Sequence, residues 1–403
     1  MASFESAKNL SFGVELKFLI PCLDPEDHDC NMLQDPPILR VKAKDNESEL
    51  WESVYDTVAA TITTRASQLA ITRRRIDDNA HEDEDYWETH WIVKKSNSAE
   101  PVRGDPRYDG YKWVPVELNS PKLSWADTKS LSLVDSVIKS LKERCRIVTN
   151  HTCEVHVHVG RRDNQEFSLP TLKRLATLSW LGEPVLRAVK DPKSPNYNHT
   201  YTWSSPLTQH SRLATAVNNT AIPIQISAIR PSPCDESLAA ILRTMKLQDP
   251  RHFYALREIW SSTSRVDLAR MLSGPGAQYR RLGFNFSAFG EDKNSGQGKP
   301  KTIECRFLEG HMKSSIVIGW VIIFCTMVEV CLKGHQPDRR LEAAVYHLLQ
   351  KGDDVALDLA FQMLCEDLEV PEASYVPFLA YIRQYWGHSG RGGFGQDSLW
   401  IEK

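Results

Sequence analysis

Net charge is nearly absent from this chain. Its 49 lysines and arginines almost cancel 52 aspartates and glutamates, leaving a formal −3, so it offers no electrostatic footprint for nucleic acid or an anionic membrane. Cysteine pairs are missing as well. The nine cysteines, an odd number, include no metal-type CxxC pair and read as buried thiols in a reducing, cytoplasmic compartment. Residues 1–9 contain Glu5 and Lys8 and no apolar run, so no signal peptide is expected. No internal repeat is visible. Long apolar runs are limited to residues 316–332 (IVIGWVIIFCTMVEVCL). That stretch is at the lower length limit for a membrane span and contains Glu329, which points to a buried core helix instead.

What remains is ample material for a core. The chain has 403 residues, 41% of them hydrophobic, which is no disordered composition. Asn46 and Glu49 form a capping box ahead of Leu50, Val54, Tyr55, Val58 and Ile62, which recur at helical spacing. Leu131, Val134, Ile138, Leu141 and Cys145 predict a second amphipathic helix, opened by Asp127. Residues 73–86 read as a charge-dense loop and 90–95 as a strand. Residues 169–189 read as a helix interrupted at Gly182 and Pro184, residues 237–272 as helix with breaks, and 290–301 as an exposed hairpin-type connection.

Five short stretches alternate apolar and polar with period two, and their polar sides are unusual. They are residues 12–18 (Glu15, Lys17), 114–118 (Glu117, followed by Asn119), 154–159 (Glu154, His156, His158), 282–288 (Asn285, Ser287) and 303–307 (Glu304, Arg306). Side chains alternate across a strand, so each set faces one side of a sheet while Val14, Leu16, Val116, Leu118, Val155, Val157, Phe284, Phe286, Cys305 and Phe307 face the other. A solvated face of an amphipathic sheet would show the same alternation. A merely wet face, however, favours Thr, Lys and Ser over His-x-His and isolated glutamates. His156 and His158 alone would suggest zinc, but no third His or Cys lies nearby at ligand spacing, and oxygen-rich neighbours favour Mg²⁺. The GRGGFG run at 390–395 satisfies GxGxxG without a preceding strand and reads as a flexible tail. Trp180 and Trp203 read as core packing, with a substrate pocket as the alternative.

FGVELKF (12–18), VELNSP (116–121), HTCEVHVHVG (151–160) and TIECRFLEG (302–310), the last followed by an apolar helix with Trp320, together resemble the putative amidoligase family. That family is grouped with the carboxylate–amine ligases of the glutamate–cysteine ligase and glutamine synthetase superfamily. The resemblance implies an α+β fold, a curved, mainly antiparallel sheet with helices on its apolar face and a glutamine-synthetase-like catalytic domain. It spans 1–335, leaving 336–403 as accessory helices and tail. It implies ATP-dependent formation of an amide or peptide bond through an acyl phosphate, with Mg²⁺ (or Mn²⁺) as cofactor. The partners it implies are a small carboxylic acid and an amine, amino acids or derivatives, rather than nucleic acid or membrane; it leaves the oligomeric state open. Carried over by position, Glu15, Glu117, His156 and Glu304 would hold metal. Arg306, His158 and Lys17 would contact the nucleotide, with Arg306, Glu304 and Lys17 acting in catalysis, and Asn285, Glu309 and Glu154 would lie by the substrate.

Two positions depart from the family pattern. Lys17 stands where the resemblance expects a second acid, and Glu154 stands where it expects glycine. A re-tuned site is one reading. A catalytically degenerate nucleotide- or metabolite-binding relative is another, and a metal-dependent amide hydrolase is a third.

Overall fold

The computed structural model describes residues 5–29, 36–42, 46–78, 85–197, 204–219, 235–244, 250–290, 301–332, 338–350 and 355–387. Among them are nine strands: β1 (Leu10–Leu23), β2 (Leu39–Arg40), β3 (Ala70–Thr72), β4 (Trp91–Lys95), β5 (Lys112–Asn119), β6 (Leu123–Ser124), β7 (Glu154–Arg161), β8 (Phe284–Asn285) and β9 (Ile303–Glu309). Fourteen α-helices accompany them. The class is mixed α+β with a mostly antiparallel, open sheet, as expected. Two compact units divide the chain: Phe12–Val157 with Leu308–Ile318, and Met1–Ser11 with His158–Phe307 and Gly319–Gly395.

In the first unit the strand order is β3-β4-β5-β1, with the leading half of β7 beside β1. β1 and β5 run antiparallel, pairing Leu16 with Leu118 and Phe18 with Val116. These four side chains, with Val155 and Val157, are fully buried. The helix Glu47–Arg65 packs on β3, β4 and β5 through Val54, Val58 and Ile62, which are also fully buried. Each such side chain contributes roughly 1.5–3 kcal/mol by leaving water. The helix opens as its sequence predicts: Asn46 Oδ1 accepts the Glu49 N–H at 2.8 Å and Asn46 Nδ2 donates back to Glu49 Oε1 at 3.2 Å. Tyr55 then donates its hydroxyl to the Pro115 carbonyl at 3.0 Å, fixing the helix to the strand that carries Glu117.

In the second unit the closing half of β7 lies beside β9, and β9 beside β8. β8 and β9 are antiparallel, with Phe284 opposite Cys305 and Asn285 opposite Glu304. On the apolar side Phe284 meets the rings of Phe307 and Phe324 at centroid distances of 4.9 and 6.0 Å. Phe324 belongs to the helix Ser314–Leu332, the one described helix long and apolar enough to cross a membrane. Most of its apolar side chains are buried in the protein, with Ile318 and Ile322 half-buried, so it serves as the expected core helix.

Several local expectations are corrected. The strand over 282–288 shrinks to Phe284–Asn285 because Asn285 Oδ1 accepts the Ser287 N–H at 3.0 Å, an Asx-type turn that bends the chain into the 3-10 turn Ser287–Phe289. Ser287 therefore does not continue the polar row. Residues 73–78 form a short helix, not a loop, with Arg73 NH2 2.8 Å from Asp77 one turn on. The helix Leu169–Leu186 runs through Gly182 and Pro184 without interruption. The space above Gly182 is filled by Leu186, Leu348 and Leu364, each 3.7 Å from where a Cβ would stand, so tertiary packing overrides the breaker signal. Thr128, not Asp127, is the cap position of the helix Lys129–Arg144, although the Asp127 carboxylate accepts the Lys129 N–H at 3.0 Å. Residues 237–272 do form broken helix, as Glu236–Thr244, Pro250–Ser261 and Arg265–Met271. Trp203, the run 390–395 and residues 291–300 lie outside the described residues.

Candidate functional site

The polar face of the strands is enclosed rather than wet. Lys17, Glu117, Glu154, His156 and Glu304 are all buried, His156 completely. Charged groups rarely tolerate that without partners, and each has one.

In the first unit the ladder sets two linked groups. The β1–β5 register places Lys17 opposite Glu117 and Glu15 opposite Asn119, and the β4–β5 register places Lys94 opposite Glu117. A row of cation, acid and cation thus crosses three neighbouring strands, an arrangement that opposite charges favour. Lys94 Nζ lies 2.8 Å from Glu117 Oε1, so Glu117 is neutralised by a side chain that sequence reading did not single out. Trp91, Ile92 and Val93 precede Lys94 without alternation, which is why its face was not legible. The second group is tighter. Lys17 Nζ stands 3.2 Å from Glu15 Oε1 and 3.4 Å from Glu154 Oε2. The His156 ring faces the same two acids, with Nδ1 3.0 Å from Glu15 and Nε2 3.0 Å from Glu154. The two departures from the family pattern are therefore an ion pair. Glu309 ends β9 half-buried.

In the second unit Glu304 is the hub. Its Oε2 accepts from Arg306 NH2 at 2.6 Å and from Asn285 Nδ2 at 3.0 Å. The first contact follows from i, i+2 placement on one strand and the second from the cross-strand pairing. Oε1 lies 3.4 Å from His158 Nε2, while His158 Nδ1 is 3.3 Å from the Thr302 hydroxyl, which orients the ring. Thr302 precedes β9 as the first residue of the TIECRFLEG stretch and shares the parity of Glu304 and Arg306. Arg306 is brought in by its backbone N–H, which donates to the Gly283 carbonyl at 2.8 Å. Glycine is required there, since a Cβ at 283 would sit 1.9 Å from the Phe307 ring.

The structure thus joins Glu15, Lys17, Glu154 and His156 in the first unit, with Glu117 held by Lys94, and joins His158, Asn285, Glu304 and Arg306 in the second. One strand, β7, supplies both histidines. Burial works against a nucleophilic role for the cysteines beside these groups. Burial pushes the Cys153 thiol up to about 12, with the Glu154 charge adding to the shift, and burial likewise raises Cys305 far above the ordinary thiol value. All seven described cysteines are free and buried. Trp180 donates its indole N–H to His252 Nδ1 at 2.9 Å and is nearly fully buried, which makes it a packing residue.

A family model described as a putative amidoligase enzyme matches residues 8–219, more than half of the 403-residue chain. The match takes in β1, β5 and β7 with their acids and histidines and ends before β8 and β9. No curated protein sequence matches the chain.

Proposed function

Because the chain belongs to the putative amidoligase enzyme family, we propose that it is an ATP-dependent carboxylate–amine ligase that forms an amide or peptide bond through an acyl phosphate. The observation that carries this reading is the burial of three acids, an imidazole and an ammonium (Glu117, Glu154, Glu304, His156 and Lys17), with the half-buried Arg306 and His158 in contact with Glu304, on the polar side of strands whose other side is core. A triphosphate and a substrate carboxylate repel one another, and only a face with fixed cations and hard-cation ligands can hold both.

The donor set suits Mg²⁺, or Mn²⁺ in its place. Glu304 Oε1 and His158 Nε2 are 3.4 Å apart, close to the ~3.0 Å between adjacent ligands on an ion with bonds of about 2.1 Å. We assign these two atoms as ligands. Bound there, the ion would neutralise phosphate charge as a Lewis acid. Glu15 and Glu117 carry the same assignment in the first unit, supported by their place on the enclosed face. His156 Nε2 is within hydrogen-bonding distance of Glu154 Oε2 at 3.0 Å, so with Lys17 in place its part is to orient Glu154, and its Nδ1, 3.0 Å from Glu15 Oε1, keeps it beside the acids assigned to metal.

Arg306 holds the γ-phosphate and the charge of the acyl phosphate, for which its planar fork is suited. Glu304 and Asn285 fix that guanidinium's position through one shared oxygen. Lys17 supplies a second positive charge that does not depend on free cation. Glu154, Asn285 and Glu309 are assigned to the side of the amino or acid substrate. The test is a screen of amino-acid and small-acid pairs with ATP and Mg²⁺, scored by phosphate release and product mass. An amide product that appears only with ATP is expected. Nucleotide binding without product for every pair would point to the degenerate relative, and cleavage of amides without ATP to a hydrolase.

A further inference from the structure

Lys17 has a side-chain exposure of 6%, and what surrounds it is unusual for a buried lysine. Glu15 Oε1 and Glu154 Oε2, the two oxygens it contacts, are the same two that face His156 Nδ1 and Nε2. Ammonium, carboxylate, imidazole and carboxylate close a ring. Two carboxylates in an enclosed place require a cation between them. Where oxygen ligands converge in this way the usual cation is divalent and exchangeable. Here it is covalent: Lys17 follows Glu15 by two residues on β1, so strand alternation delivers it to the same side. Its strongly hydrated point charge has no directional demand and can serve both acids at once.

The geometry points to Lys17 as a built-in cation: its ammonium holds Glu15 and Glu154 in place of a divalent ion, and removing it turns the Glu15–Glu154–His156 group into a divalent-cation site. The ring is built on Oε1 of Glu15, and the assignment of Glu15 to Mg²⁺ is made for Oε2 of the same carboxylate. The charge of this group then stays constant as free Mg²⁺ varies. The inference rests on the ligase reading only in taking divalent ions as natural partners of this face.

The test is ion counting on the full chain. Wild type, Lys17→Met, Lys17→Gln and Lys17→Arg are titrated with Mn²⁺ in the absence of nucleotide, and bound ion is measured from the loss of the free-Mn²⁺ EPR signal. Lys17→Met and Lys17→Gln should each bind about one Mn²⁺ per chain more than the wild type, and adding Glu154→Gln to Lys17→Met should abolish the gain. Lys17→Arg, which keeps the charge, should bind as the wild type does. Equal binding by wild type and both neutral variants would overturn the inference. If the neutral variants unfold in EDTA, recovery of their melting temperature by Mn²⁺ supports it, and aggregation at every Mn²⁺ concentration overturns it, because a mobile cation would then fail to replace the ammonium. Amide formation is not read in this experiment. A chain that gains the ion but ligates nothing removes the ligase reading alone.

Discussion

At the scale of single residues, Glu304 and Arg306 matter most to the proposed chemistry. Glu304→Gln keeps the shape but loses the charge that steadies Arg306 at 2.6 Å, and Arg306→Ala removes the fork proposed to bind phosphate. Each should lower the rate by on the order of 10², measured as phosphate release, with melting temperature followed in parallel. Activity near wild type in a folded Arg306→Ala would remove that residue from the mechanism. Period-two reading found Glu15, Lys17, Glu117, Glu154, His156, His158, Glu304 and Arg306, because strand parity is local and needs no partner. It could not find which of them touch. Lys94 neutralises Glu117 from a strand with no alternation, and the pairing of Lys17 with Glu154 joins positions 137 apart in sequence.

At the scale of elements, long periodic segments were legible and short ones were not. The helix Glu47–Arg65 announced both its cap and its buried stripe, since helix propensity and side-chain capping act over a few residues. β8 was overread because the Asx turn at Asn285 depends on a side-chain geometry that alternation does not encode. The helix through Pro184 was underread because packing around Gly182 is tertiary. Asn46 provides a direct test of the local part. Asn46→Ala removes both bonds of the cap and should cost about 1 kcal/mol, read as a lowered denaturant midpoint with unchanged slope. An unchanged midpoint would show that packing on β3, β4 and β5 alone sets that helix's stability.

At the scale of the whole molecule, the chain divides between Val157 and His158, inside a strand where composition gives no sign of a boundary. The mixed α+β class and the burial of the apolar helix Ser314–Leu332 were legible, because both follow from hydrophobic patterning. The near-zero net charge also acquires a local meaning: lysines and an arginine on the polar side of the strands offset its acids within contact distance. The proposed function makes one central chemical claim, transfer of phosphate to a carboxylate before amide formation. The most direct measurement uses the acid substrate labelled with ¹⁸O in its carboxylate and follows the label by mass spectrometry of the released phosphate. One ¹⁸O per phosphate, formed together with ADP and amide, is the expected result. Label appearing in AMP, or phosphate released without label, would contradict the acyl-phosphate route.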